Sequence, residues 1–333
     1  MRVLVTGATG FLGGNLVRLL LERGHAVRVY RRSTSSNRVL EGLPVEVATG
    51  ELTDPEAMAR AVRGCGQVYH LAGAYETGPG AAESMYRCHV TGTRLLCEVS
   101  MAQGVERMVI CSSSITLPFG SRSEPAREDD PDPFERTGVP YRGALRAYYE
   151  AKKAQLEVGR EFAARGFPVV VVHPDFVIGP WDVKPTSGKI VVQMARLPWL
   201  PFYPPGGKCF IGARDCAMGH VLAMEKGRPG VSYLLGDHNL SYREALGIIA
   251  RVVGKPPPRF PLPRSVQRAA HQLARWFGDR LPAVTHLSSH LDSLYLERYR
   301  SPSRAREELG LGSTPFEETV ESAYRWFRDN GMV

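Results

Sequence analysis

Short β-branched runs alternate with amphipathic stretches along the first half of the chain. VLVTGATGFLGGNLVRLLLERGHAVRVY divides into an apolar run, a glycine-rich turn, an apolar-striped helix over about residues 11–23, and a second apolar run after Gly24. PVEVATG follows as a third strand, Asp54 and Pro55 as N-cap and first helical position ahead of EAMARAV, and QVYHLAG as a fourth strand. A helix over residues 84–103, the strand RMVICSS, a helix over residues 145–165 and the strand VVVVHP complete the series. Such alternation requires right-handed crossovers. It predicts an α/β fold: a doubly wound parallel sheet with helices on both faces and a site at the carboxyl ends of its strands. After residue 174 the composition shifts to Pro, aromatic and scattered basic residues, as in LPWLPFYPPGGKCF, which suits loops and short elements that build a substrate wall.

Composition sharpens this. With 333 residues, 43% of them hydrophobic, the chain can fill a sizeable core. The formal charge of +8 suits an anionic ligand, but Arg and Lys are scattered, without the basic run and interleaved aromatics of a nucleic-acid binder. The six cysteines (Cys65, Cys88, Cys97, Cys111, Cys209, Cys216) form no CxxC pair, so reduced thiols and a cytoplasmic location are expected. No signal-peptide pattern and no apolar stretch near the ~20 residues of a membrane span is present, and a soluble protein is expected.

The chemistry begins at the first turn. Gly7, Gly10 and Gly13 fall where backbone must approach a pyrophosphate, turn sharply and pack helix against strand, with phosphate charge at the helix N-terminus. At the end of the second strand, Arg31, Arg32 and Ser33 stand where an acidic residue would favour NAD; arginine there favours the extra phosphate of NADP. AYYEAKK at 147–153 holds two Tyr/Lys pairs four apart. The stripe through Tyr148, Lys152, Gln155, Val158 and Phe162 has apolar outer members, whereas Tyr149, Lys153, Glu157 and Arg160 resemble a solvent face; Tyr148 and Lys152 are therefore preferred. A nearby ammonium makes a phenol a better proton donor and acceptor near neutral pH. Ser112, Ser113 and Ser114, just after RMVIC, can hold a reacting oxygen beside the tyrosine. In the second half, Trp181, Lys184, Phe202, Tyr203, Lys208 and Arg214 could meet a ligand or serve packing and surface. SYRE at 241–244 reads as a capping box, residues 264–296 as a packing helix, and the His286/His290 pair lacks a third metal ligand.

TGATGFLG, the serine cluster, YxxxK and HPDFVIGP together resemble the extended branch of the short-chain dehydrogenase/reductase family, over almost the entire chain. Segments 179–193, 219–258 and 304–311 are similar to the hopanoid-associated sugar epimerase group and its dihydroflavonol-reductase-like relatives. The resemblance implies a Rossmann domain over 1–173 and a smaller C-terminal substrate lobe over 174–333, some segments of which return to the core. It implies Tyr148 as acid/base, Lys152 as ribose ligand and tuner of the tyrosine, and Ser113 as the group that orients the reacting oxygen; Ser114 and the Tyr149/Lys153 pair are the alternatives. Cofactor contacts are implied at Gly7, Gly10, Phe11, Leu12, Gly13, Arg31, Arg32, Glu51, Leu52, Leu71, Ala72, Gly73, Tyr148, Lys152 and Pro174. Departures are Glu51 for the usual Asp, His89 for a frequent Asn, and Gly212, Ala213, Arg214, Asp215 for His-Val-Asp-Asp. The expected activity is NADPH-dependent reduction of a ketone or aldehyde by a homodimer. A nucleotide-sugar epimerase or dehydratase and a non-catalytic dinucleotide sensor are the other readings.

Overall fold

The computed structural model describes residues 2–131, 134, 138, 141–199, 201–277 and 291–333, without the side chains of Ala274, Arg275 and Phe277. Strands β1 (Arg2–Thr6), β2 (Ala26–Arg31), β3 (Glu46–Thr49), β4 (Gln67–His70), β5 (Arg107–Cys111) and β6 (Val169–Pro174) lie in one sheet. A seventh strand from the second half, β10 (Ser232–Leu235), completes it in the order β10-β6-β5-β4-β1-β2-β3, every pairing parallel. The doubly wound fold expected from the alternation is thus observed. The order reverses between β1 and β4, where Leu71 donates its N–H to the Thr6 carbonyl at 3.2 Å and the strand ends open a crevice.

Burial explains the strand sequences. The Val169–Val172 run of β6 is covered on both faces, as parallel strands require. On one face, Leu16, Val17 and Leu20 of α1 (Phe11–Glu22) pack with Cys216, Ala217 and Val221 of a later helix over residues 213–226. On the other lie α2 (Pro55–Val62), α4 (Gly92–Ala102) and α5 (Gly143–Ala164), with α3 (Ala81–Tyr86) packed against α5; Met58, Leu96, Leu156 and Phe162 share that core. Asp54 caps α2 by accepting from the N–H groups of Glu56 and Ala57. The helix expected over 84–103 starts earlier, at Ala81, and is broken by a π turn over Arg87–Thr91. Periodicity does not register one extra residue in a turn; here that turn carries His89 inward.

The second half forms α6 (Lys189–Arg196), α7 (Ala213–Lys226), α8 (Tyr242–Val252), α9 (Arg264–Phe277) and α10 (Phe316–Asp329). A smaller sheet joins β7 (Phe176–Ile178), β9 (Gly207–Gly212), β11 (His238–Ser241) and β13 (Glu297–Arg298), while β8 (Phe202–Tyr203) pairs with β12 (Phe260–Pro261). The capping box is present, Ser241 and Glu244 bonding each other's backbone. The expected packing helix is narrower than its pattern suggested. Val266, Leu273 and Trp276 of α9 are exposed, while Ala270 is buried. His286 and His290 lie outside the described residues. No described helix is long and apolar enough to cross a membrane, and the six cysteines are unbonded.

Candidate active site

The glycine turn is built by close approach. Gly7 has φ +71°, and a Cβ there would sit 2.5 Å from the Ala72 nitrogen and the Leu71 carbonyl carbon. Gly13 faces the same turn from α1, where a Cβ would fall 2.2 Å from the Gly7 oxygen. Backbone thus packs on backbone, leaving the α1 N-terminus with no side-chain cap at Gly10. Uncapped amides and the helix dipole form a receptor for phosphate.

A cavity of about 840 Å³ runs from this turn along the ends of β1, β2 and β4. Of the expected cofactor contacts, Gly7, Gly10, Phe11, Arg31, Arg32, Glu51, Leu52, Leu71, Ala72 and Gly73 line it, while Leu12, Gly13, Tyr148, Lys152 and Pro174 do not. Leu12 packs against the core behind the turn. At the β2 end, Arg31 donates through Nη1 to the carbonyls of Arg32 and Ser35, both at 3.2 Å, fastening its own loop. The exposed Arg32 side chain has no hydrogen-bond or ion-pair partner among the described residues. Glu51 is exposed, and its carbonyl accepts from the Tyr30 hydroxyl at 2.8 Å.

Sequence reasoning did not assign the opposite wall. Trp181, Asp182, Val183, Lys184 and Thr186 close over the cavity. Trp181 adopts φ +71°, its ring beneath the Arg18 guanidinium at 3.4 Å, and Asn15 ties the loop to α1 by donating to the Pro180 carbonyl at 3.0 Å. Asp182 is buried and anchors the loop by accepting from the N–H groups of Thr186 and Gly188. Lys184 thus belongs to this wall, while Arg214 pairs on the surface with Glu22.

Ser113, Tyr148 and Lys152 come together beyond the cavity, at the β5 end. Ser113 accepts from the Ile115 N–H, and its carbonyl meets His173 Nδ1 at 3.2 Å and the Thr116 hydroxyl at 2.8 Å. Burial pushes the Tyr148 phenol up to about 12, a hydrogen bond with Ser113 offsetting part of the rise. Its ring meets His89 and Tyr75 edge-on, at 5.6 and 5.4 Å. Lys152 Nζ stands 6.0 Å from the Tyr148 ring centroid and donates to the Cys111 carbonyl at 3.1 Å and to Gln155 Oε1 at 2.9 Å. Burial lowers the Lys152 pKa, and among the described residues its Nζ is met by these two dipoles rather than by a carboxylate.

The stripe argument that separated the tyrosines needs correction. Tyr149 is buried, more so than Tyr148, because the segment after Ser113 folds over it: ring contacts run Phe119–Phe134–Tyr141–Tyr149. Glu157 and Arg160, further along that stripe, are exposed and paired at 2.7 Å. Ser114 is buried.

A buried polar chain supports Lys152. Gln155 Nε2 donates to Thr93 Oγ1 at 3.0 Å, Thr93 meets His70 Nε2 at 2.8 Å, and His70 Nδ1 meets Thr6 Oγ1 at 2.7 Å. Burial drops His70 and His89 to about 3, so both are neutral. The one sequence signal for this polar chain was Gln155, between Lys152 and the apolar Val158 and Phe162 on one stripe.

A profile of the NAD dependent epimerase/dehydratase family matches residues 3–236. The chain is 33% identical, over the whole of both proteins, to sterol demethylase protein B of Methylococcus capsulatus. It is 30% identical to the 2-alkyl-3-oxoalkanoate reductase of Stenotrophomonas maltophilia, over 77% of each chain. The crystal structure of a nucleoside-diphosphate-sugar epimerase from Pseudomonas aeruginosa superposes with a TM-score of 0.80 at 27% identity, covering 100% of this chain and 99% of that one.

Proposed function

The chain belongs to the NAD dependent epimerase/dehydratase family, whose members are pyridine-nucleotide-dependent, and we propose that it is an NADP-dependent oxidoreductase that reduces a ketone or aldehyde. The carrying observation is the β2 terminus, where Arg31 and Arg32 line the cavity in place of a carboxylate. The residues fit a dinucleotide: a turn that admits no Cβ at Gly7 or Gly13, an uncapped helix N-terminus and a long crevice. Gly7, Gly10, Phe11, Leu12 and Gly13 would hold the pyrophosphate, Arg31 and Arg32 the 2′-phosphate, and Glu51 and Leu52 the adenine. Leu71, Ala72, Gly73, Lys152 and Pro174 would flank the nicotinamide half. The bound cofactor supplies the hydride.

Ser113 orients the carbonyl oxygen, and Tyr148 gives that oxygen a proton. The phenol's raised pKa in the free protein keeps it protonated, as a donor must be. Lys152, its Nζ 6.0 Å from the Tyr148 ring centroid, stabilises the phenolate left behind. We assign residues 1–173 to the dinucleotide half and 174–333 mainly to the substrate lobe, and the protein to a cytoplasmic homodimer.

The test is to release any bound dinucleotide by denaturation, identify it by mass spectrometry, and compare NADPH with NADH in turnover and affinity, with Tyr148→Phe as control. An exchangeable site preferring NADPH, and at least a hundredfold loss of turnover in the variant, are expected; NADH preference or a fully active variant refutes the proposal. Retained NAD would favour the second reading, a nucleotide-sugar epimerase, which the superposition on the P. aeruginosa protein supports.

A further inference from the structure

Against the segment that follows Ser113, the smaller sheet gathers three cations around one carboxylate. Arg298 of β13 and Lys208 of β9 are direct register neighbours, and Arg300 follows two residues on. Like charges placed opposite each other in a sheet repel. Asp175 is the carboxylate, and Arg300 engages it through Nη1 at 2.6 Å. The remaining Arg300 donors reach the carbonyls of Pro118 and Leu117. Nearby Glu244 is taken by Arg122 and Ser241, and Asp237 by Arg306 and Ser313.

Arg298 is left over. It is 6% exposed, and its Nε and Nη2 are buried with no hydrogen-bond acceptor among the described residues. Its guanidinium lies against the rings of Phe119 and Tyr141, at 5.6 and 5.3 Å. Lys208 Nζ stands 4.6 Å from the Phe176 ring centroid, and burial, then the neighbouring Arg298, presses its pKa down to about 8. Nε and Nη2 form one edge of the guanidinium, two parallel donors spaced for the two oxygens of a carboxylate. A buried guanidinium with that edge unmet is costly to the free protein, and an incoming anion relieves the cost.

Short stretches of chain and one ring contact link the cluster to the reacting groups. Leu117 and Pro118 continue the segment that Ser113 begins, Asp175 and Phe176 follow Pro174, and Tyr141 packs on Tyr149 beside Tyr148. We propose that Arg298, with Lys208 beside it, binds a carboxylate carried by the carbonyl substrate, so that the substrate is an oxo acid with an apolar body lying between the rings of Phe119, Tyr141 and Phe176. One guanidinium edge and one ammonium suit a single carboxylate rather than a diphosphate. The inference rests on the reductase reading.

The experiment measures binding of decanoate, decan-1-ol and UDP to the full-length NADPH complex by calorimetry, in the wild type, Arg298→Met and Arg298→Lys. Decanoate should bind at least tenfold more tightly than decanol. Its affinity should fall at least tenfold in Arg298→Met and by less in Arg298→Lys, with NADPH affinity as the folding control. Should Arg298→Met fail to fold, the decanoate-to-decanol ratio in the wild type, and its decline with added salt, decide the matter. Equal binding of acid and alcohol, or a decanoate affinity indifferent to Arg298, overturns the proposal; tighter, Arg298-dependent binding of UDP overturns it in favour of a diphosphate. Reduction of neutral ketones without preference for oxo acids would sink this inference and leave the reductase reading standing. Full activity of Tyr148→Phe would sink the reductase reading itself.

Discussion

Arg31 and Arg32 are adjacent in sequence but differently committed, so replacing each with alanine should separate two effects. Arg31 is bonded to two carbonyls of the loop that follows β2, so its removal loosens the loop and should weaken NADH as well as NADPH, NADPH the more because a 2′-phosphate contact goes with it. Arg32 is exposed and has no protein partner to lose among the described residues, so Arg32→Ala should act on the cofactor phosphate alone. A charge-assisted hydrogen bond contributes about 1.5–3 kcal/mol, and exposure to solvent and salt reduces this to about 1–2 kcal/mol. That corresponds to a five- to thirtyfold loss of NADPH affinity, as 1.36 kcal/mol is tenfold. NADH affinity should not change, and the salt dependence of NADPH binding should flatten, since one cation–phosphate contact has gone. Titration of nicotinamide fluorescence with both cofactors at two ionic strengths reads all of this. A parallel loss for NADH, or an unchanged NADPH affinity, would refute the assignment of Arg32 to the 2′-phosphate.

Three further outcomes are expected. Gly7→Ala places a Cβ 2.5 Å from backbone of the β4 end at φ +71°, so it should cost at least tenfold in affinity for either dinucleotide and lower the melting temperature; normal binding would show that the turn can open. Asp54→Ala removes the acceptor for two α2 amides and should destabilise the protein by about 1 kcal/mol in chemical denaturation, with cofactor affinity unchanged. His238, bonded to Asp237 at 3.0 Å, has its pKa raised above 6.5 by that hydrogen bond in the folded state. Its contribution to stability is therefore complete below the unfolded pKa of about 6.5 and lost as pH rises through the raised value. Thermal melts from about pH 6 to about pH 9 should show a decline that His238→Asn removes; an identical decline in the variant would assign it elsewhere.

Local features were legible where a single segment contains its own explanation. The β1–turn–α1 unit is one, since its glycines, apolar runs and helix start lie within two dozen residues, and the Asp54–Pro55 cap is another. Features that depend on distant residues were not. Tyr149 has the neighbours of a surface residue on its own helix and is buried by Tyr141 from the preceding segment. Lys152 is positioned through Gln155, Thr93, His70 and Thr6, where consecutive contacts span up to 64 residues. Arg298 meets Lys208 only because β13 pairs with β9, and nothing in either short strand announces the other. The loop at Trp181 reads as a specific motif, yet its place over the dinucleotide cavity follows from Asn15 and Arg18 on α1.

The return of β10 to the edge of β6 bears on how the chain is made. The six strands that come first in sequence are complete at residue 174, but the edge of β6 remains open until β10 at Ser232–Leu235 is synthesised. At about 5–20 residues per second, those further ~60 residues take about 3–12 s. During that interval the nascent sheet presents an all-valine run along an unpaired edge, a template for pairing with any other extended chain. The stretch between must emerge and loop outward before the sheet can close, so β7, β8 and β9 are synthesised inside the period of greatest aggregation hazard. A circular permutant that starts near residue 230 would deliver β10 first, and its refolding yield against that of the natural order would measure what this ordering costs the cell.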